Sequence, residues 1–225
     1  MSVIEITDLS FSYTPSSPFV LSDITFSVDK SDYISIVGGN GAGKSTLIKL
    51  ILGLIPPSKG SIQNFGKRMG YVPQRFENIN LQFPITVNEV LLTYQKACGI
   101  KEKNAVNHAL EMVKMGDFKH RLIGSLSGGQ CQKIFIARSL IGDPDLLIFD
   151  EHSTSIDTKS QTEIYALIKK INVECGITVI SVDHNLLAAV QNSTLIYHLS
   201  EGKGHYCSPE DFMKENIIDY TKGVN

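Results

Sequence analysis

Apolar and polar positions alternate loosely from Ile4 through Ser12 and again over Ile24-Thr25-Phe26-Ser27-Val28, on either side of the turn-rich Thr14-Pro15-Ser16-Ser17-Pro18. Two strands are predicted to open the chain. Tyr33-Ile34-Ser35-Ile36-Val37 is a short apolar run, followed after a glycine-rich stretch by the helix-like Leu47-Ile48-Lys49-Leu50-Ile51-Leu52, which Gly53, Pro56, Pro57 and Gly60 end. Ser61-Ile62-Gln63 starts another short strand, and Met69-Gly70-Tyr71-Val72-Pro73-Gln74 is a strand stopped by proline.

From Thr86 to Lys119 the period changes. Val87, Val90, Leu91 and Tyr94, then Ala105, Leu110, Val113 and Met115, recur at helical spacing. Ser127-Gly128-Gly129-Gln130 has the S-x-x-Q form of a capping box, with Ile134, Phe135, Ala137 and Leu140 behind it. Leu146-Leu147-Ile148-Phe149 reads as a buried parallel strand ending in two acids, Asp150 and Glu151. Ile164, Leu167, Ile168 and Ile171 mark a helix that Gly176 terminates, Ile177 to Val182 is a strand, and Asp183-His184 lie at its C-terminal end. Thr194 to Leu199 and His205-Tyr206-Cys207 flank Glu201-Gly202-Lys203-Gly204 as a hairpin, and Ser208-Pro209 suits a helix start. Strand, helix and strand repeat, so the sheet is largely parallel.

Composition narrows the classes. A chain of 225 residues, 42% hydrophobic, can bury one substantial core. Its 21 basic and 23 acidic residues leave a formal charge of −2 with no block of either sign, so no nucleic-acid footprint is expected. Cys98, Cys131, Cys175 and Cys207 are widely spaced, which fits thiols in a reducing compartment better than a disulfide frame or zinc site. No window approaches a membrane span, so a membrane role would be supplied by a partner.

The candidate chemistry centres on Gly38-Gly39-Asn40-Gly41-Ala42-Gly43-Lys44-Ser45-Thr46, which fits G-x-x-x-x-G-K-[ST] between a strand and a helix. Glycines let such a loop turn its N–H groups inward on phosphates, and the helix N-terminus adds its dipole. Lys44 would then place a charge on the β and γ phosphates of ATP, and the Ser45 hydroxyl would ligate Mg²⁺. Asp150 would hold Mg²⁺ through its water shell, and Glu151 would orient and deprotonate an attacking water. Ligands of open parallel sheets gather at carboxyl ends of strands, so the loop, Asp150-Glu151 and His184 should converge. Tyr13, at the end of the first strand, either stacks on a base or is an ordinary strand aromatic.

Gly38 to Ser45, Gln74, Leu126-Ser127-Gly128-Gly129-Gln130, Asp150-Glu151, Asp157 and His184, in this order and spacing, together resemble the ATP-binding cassette of ABC transporters. The resemblance runs from Tyr13 to about His184 and implies an α/β fold: a P-loop NTPase core with a mostly parallel sheet, an N-terminal antiparallel β part and a helical insertion at about residues 83–142, all in a single cassette spanning 1–225. It also implies that Tyr13 stacks on adenine, that Gln74 senses Mg²⁺ and the membrane partner, and that His184 switches on the γ-phosphate. Ser127, Gly128, Gly129 and Gln130 would serve the nucleotide of the opposite subunit in a head-to-tail homodimer or paired cassette, and Asp157 would lie in a loop crossing that interface. The implied partners are integral membrane permease subunits and, through them, a substrate-binding protein, at the cytoplasmic face of the plasma membrane.

The chain departs from the family pattern at His152, Ser155, Cys131 and Lys133. Phe83-Pro84-Ile85-Thr86-Val87-Asn88-Glu89-Val90 resembles cassettes of zinc and manganese uptake systems, which implies import of a divalent metal; as residues alone, Pro84 and Thr86 are helix start signals. A cassette of an exporter or of an ABC system for another substrate, and after it a soluble cassette without a transport role, are the rival readings.

Overall fold

The computed structural model describes residues 1–15, 18–66, 68–73, 84–150 and 157–214. These form an α/β structure with two compact units, Met1–Gly66 with Thr178–Asn225, and Lys67–Ile177.

In the first unit, β1 (Ser2–Phe11) pairs antiparallel with β2 (Leu21–Asp29) on one edge and β4 (Lys59–Asn64) on the other. The loose alternation has a structural cause: register shifts interrupt both ladders, and Asp8 takes a left-handed φ of 47°. Beside this bend, a Cβ on Gly60 would sit 2.4 Å from the Thr7 and Asp8 carbonyl oxygens, so only glycine lets β4 approach.

The other strands of this unit run in the order β7 (Thr178–Val182), β3 (Tyr33–Val37), β8 (Leu195–Ser200) and β9 (Lys203–Cys207). β3 is parallel to both neighbours, and β9 turns back antiparallel along β8. Every residue of β3 and β7 is buried, which explains why their sequences are largely apolar. The β8–β9 turn is tighter than the sequence suggests. Ser200 pairs with Lys203, leaving Glu201 and Gly202 as a two-residue loop with φ of 49° and 75°, the turn whose twist suits a hairpin. Phe26 of β2 packs on Tyr197 of β8 at 4.4 Å between ring centroids and edge-on to Tyr206 of β9 at 6.0 Å. Helices α1 (Lys44–Ile51) and α6 (Leu186–Asn192) complete the unit, and Ser208 caps a helical turn opening at Pro209, its Oγ accepting from Asp211 N at 3.0 Å.

In the second unit, β5 (Met69–Val72) lies parallel to β6 (Leu146–Asp150). Among the described residues, four α-helices accompany them: α2 (Val87–Ala97), α3 (Ala105–Met112), α4 (Gly128–Leu140) and α5 (Thr158–Cys175). Thr86 opens α2 as a full capping box, its Oγ1 accepting from Glu89 N at 3.3 Å while Glu89 Oε2 accepts from Thr86 N at 2.8 Å. Gly176, at φ 66°, terminates α5 as predicted. Among the described residues, no helix is long and apolar enough to cross a membrane.

Gly70 shows how closely β5 and α4 pack: a Cβ there would lie 2.3 Å from the Ser139 carbonyl oxygen, a backbone atom that cannot step aside. Gly70→Ala is expected to destabilise the chain by about 1–3 kcal/mol through overpacking, read as a lowered urea midpoint at unchanged slope.

Candidate functional site

β3 hands the chain to the glycine loop at its carboxyl end, and α1 begins at Lys44. Close approach explains two of the glycines. A Cβ on Gly38 would lie 2.1 Å from the Leu199 carbonyl oxygen, and one on Gly43, at φ 102°, would lie 2.7 Å from Leu21 Cδ2. No side chain caps α1 and no acid occupies its first turn, so the positive end of the helix is left for an anion. The Lys44 side chain is buried, and its amine donates to the Gly38 and Gly39 carbonyls at 2.6 and 2.9 Å. The cation is thus held against the loop's own backbone, and phosphate oxygens can take the place of those carbonyls.

Tyr13 lies two residues beyond the end of β1, 57% exposed, so it is not a core aromatic. Its ring packs edge-on to Phe11 at 4.9 Å and its hydroxyl is 3.0 Å from Thr46 Oγ1, which tethers an exposed flat ring to the helix of the phosphate loop. That placement suits a nucleobase platform.

The parallel register sets Ile36 opposite Val182, and Asp183 N donates to the Ile36 carbonyl at 3.2 Å. His184 therefore leaves β7 on the same side as the glycine loop leaves β3, and it is exposed there. Asn185 caps α6, its Oδ1 accepting from Ala188 N at 3.1 Å. No motif in the sequence singled out Asp183, the residue before His184. Its carboxylate is buried and accepts from Ser35 Oγ of β3 and, at 2.7 Å, from Ser181 Oγ of β7. The available signal was a serine in each of two otherwise apolar strands, since buried polar positions need partners.

The second unit holds the remaining candidates. Asp150 is buried at the carboxyl end of β6, and its carboxylate accepts a hydrogen bond from the Tyr71 phenol of β5. Burial first, then the Asp150 charge and that bond, push the phenol up to about 12, so it stays protonated and a donor. Nothing in the sequence marked Tyr71. A buried carboxylate such as that of Asp150 and, in the first unit, an exposed hydroxyl such as that of Ser45 are each oxygen donors of the kind Mg²⁺ prefers. Among the described residues, no group of three or more His, Cys, Asp or Glu side chains is placed to hold a metal.

Ser127 and Gln130 form the expected capping box at the start of α4: Ser127 Oγ accepts from Gln130 N at 3.3 Å, and Gln130 Oε1 accepts from Ser127 N at 3.0 Å. The Gln130 carbonyl is thereby spent on the cap, while Ser127 Oγ keeps its own proton to donate. Gly128 begins the helix, and a Cβ on Gly129 would come within 2.8 Å of Ser160 Cβ and Oγ on α5. Ser160 is in turn held by Asp157, which caps α5: Oδ1 accepts from Ser160 N at 3.0 Å and Oδ2 from Ser160 Oγ at 2.7 Å. Those bonds hold the Asp157 carboxyl below its ordinary value. One turn along, Lys133 bridges to Glu163 at 2.8 Å and links α4 to α5. Burial pushes the Cys131 thiol up to about 11, which makes it an inert packing group. Gln74, Glu151, His152 and Ser155 lie outside the described residues.

Residues 21–154, more than half of the chain, match the ABC transporter family. A Treponema pallidum protein named "Probable metal transport system ATP-binding protein" is 50% identical over 215 residues, covering 96% of this chain and 90% of that protein. The zinc uptake system ATP-binding protein ZurA of Listeria innocua is 37% identical over 213 residues, covering 88% and 81% respectively. The dimeric structure of MJ0796, a bacterial ABC transporter cassette, superposes with a TM-score of 0.76 at 25% identity, covering 92% of this chain and 98% of that one.

Two outcomes follow from the packing and the buried charge. Gly129→Ala should lower stability or ATP turnover by displacing α4 from α5, and adding Ser160→Gly should restore it; failure of the double variant to recover would contradict the contact. Burial pushes the Asp183 carboxyl up to about 6, while the two serine hydroxyls pull it down. The folded value lies above the unfolded 3.8, so the stability this group contributes is complete below pH 3.8 and is lost as pH rises through about 6. Wild-type chain should lose stability relative to Asp183→Asn across that window in urea titrations, whereas parallel profiles would contradict a buried titrating carboxyl.

Proposed function

The chain belongs to the ABC transporter family, and from that premise we propose that it is the ATP-hydrolysing subunit that energises import of a divalent metal ion such as zinc. The observation carrying the motor reading is the phosphate loop: a buried Lys44 amine resting on loop carbonyls beside an uncapped helix N-terminus. The metal assignment is supported by the two relatives whose names specify metal transport and zinc uptake. The Phe83 to Val90 stretch contributes less, because its Thr86 and Glu89 are accounted for by the capping box of α2.

In this reading the loop N–H groups and Lys44 hold the β and γ phosphates, and Tyr13 stacks on adenine. Ser45 and Asp150 hold Mg²⁺, with Gln74 sensing it; the ion, when bound, neutralises phosphate charge. Glu151 takes the proton of the attacking water, and His184 donates a hydrogen bond to the γ-phosphate. Ser127 Oγ, with its proton free of the cap, and the Gly129 N–H serve the nucleotide of a second copy, while Asp157 lies near the seam between copies. The dimeric MJ0796 cassette supports that pairing. The whole chain acts as one cassette with a helical subdomain at about residues 83–142. It docks at the cytoplasmic face of the plasma membrane on permease subunits, which receive the ion from a substrate-binding protein.

Glu151→Gln should retain MgATP binding and hydrolyse on the order of 10²–10⁴ times more slowly, the span of general-base catalysis. Sedimentation should find this variant dimeric with MgATP and monomeric without it. Brisk phosphate release by the variant, or a sedimentation profile indifferent to MgATP, would overturn the reading. Copurification with the membrane subunits and a radioactive zinc uptake assay test the metal assignment separately.

A further inference from the structure

The residue before His184 is the most deeply buried carboxylate described in the first unit, and the hydrolytic scheme above leaves it unused. Asp183 is 1% exposed. Ser35 Oγ donates to its Oδ2, and Ser181 Oγ donates to its Oδ1 at 2.7 Å. Ser35 and Ser181 are direct register partners across β3 and β7, so the two donors face the carboxylate from both strands at one level. The chain of hydroxyls extends further. Ser193, immediately after α6, places its Oγ 2.6 Å from Ser35 Oγ and 2.6 Å from the Ala189 carbonyl. One carboxylate thus gathers the phosphate-loop strand, the strand carrying His184 and the far end of the helix that follows it.

Burying a carboxylate costs free energy, and a small apolar residue would fill a strand end without that cost. The arrangement has a use if the turn after β7 must be held still. We propose that Asp183 is a positioning residue for His184: pinned by Ser35 and Ser181, it fixes the turn between β7 and α6 so that the imidazole stands in register with the glycine loop. This deepens the reading of His184 as a γ-phosphate donor and rests on it. Burial, the larger effect, raises the carboxyl to about 6, so at neutral pH it is ionised and acts as an acceptor for both hydroxyls.

A group acting through His184 should lose its effect when His184 is absent. ATP turnover at saturating MgATP and equilibrium binding of a fluorescent ATP analogue are measured on the full chain for Asp183→Asn, Asp183→Ala, Ser181→Ala, His184→Ala and the double variant Ser181→Ala/His184→Ala. Asp183→Ala is expected to lower kcat about tenfold or more, and Ser181→Ala a few-fold, with nucleotide affinity within about twofold of wild type in both. Asp183→Asn, which keeps the size and can still bond both hydroxyls, should recover part of the loss. Adding Ser181→Ala to His184→Ala should change kcat no further. Should Asp183→Ala fail to fold, Ser181→Ala and Asp183→Asn decide the matter through the same split between kcat and affinity. The proposal is overturned if Ser181→Ala turns over like wild type, if its loss persists in full without His184, or if affinity falls as much as kcat. If instead His184→Ala alone hydrolyses ATP normally, it is the parent reading of His184 that fails.

Discussion

The buried pairing of β3 between two parallel neighbours is the constraint from which the site in the first unit derives. A strand apolar on both faces has to be covered on both sides and bonded along both edges, because an unpaired backbone amide in such a place costs about as much as a lost hydrogen bond. Parallel pairing then puts the carboxyl ends of β7, β3 and β8 on one side, and the register with β7 brings the start of the glycine loop alongside the His184 turn. Loop and histidine are neighbours because a ladder of hydrogen bonds leaves them no other placement.

Around this frame, several contacts work by the absence of a side chain. Gly38 lies against the Leu199 carbonyl, Gly70 against Ser139 and Gly129 against Ser160. In each case backbone meets backbone or a short polar side chain at a distance that even a methyl group would prevent. The Ser127–Gln130 segment shows how this shapes chemistry: its glutamine caps the helix, its serine is left with a proton to give, and its second glycine lets α5 approach with Asp157 and Ser160 already bonded to each other.

Buried polar groups supply the complementary device. Asp150 with Tyr71, and Asp183 with Ser35 and Ser181, place ionisable oxygen among apolar strands; each is met by a hydroxyl donor from a neighbouring strand, and Asp183 by a second from its own. Interior polar groups held in this way resist rotation, because leaving one donor or acceptor unmatched in a low-dielectric interior is costly. Strand ends that present a catalytic site benefit from such anchoring, since small displacements of a reacting group reduce rate steeply.

Local patterns were legible wherever the physics is local. The glycine loop, the Ser127–Gln130 capping box, the Gly176 stop and the strands bounded by proline and glycine all depend on residues within a few positions of one another, and the fold shows them where periodicity and turn chemistry put them. The hairpin turn is two residues shorter than its composition suggests: Lys203 and Gly204 have turn-like chemistry, yet the ladder to β8 claims them. Tertiary structure alone decided that Ser35 and Ser181 meet one carboxylate, that Tyr71 bonds Asp150, that Gly129 makes room for Ser160, and that Tyr13 is tied to Thr46. These contacts join segments far apart in the chain and depend on register and helix approach, which no window of sequence contains.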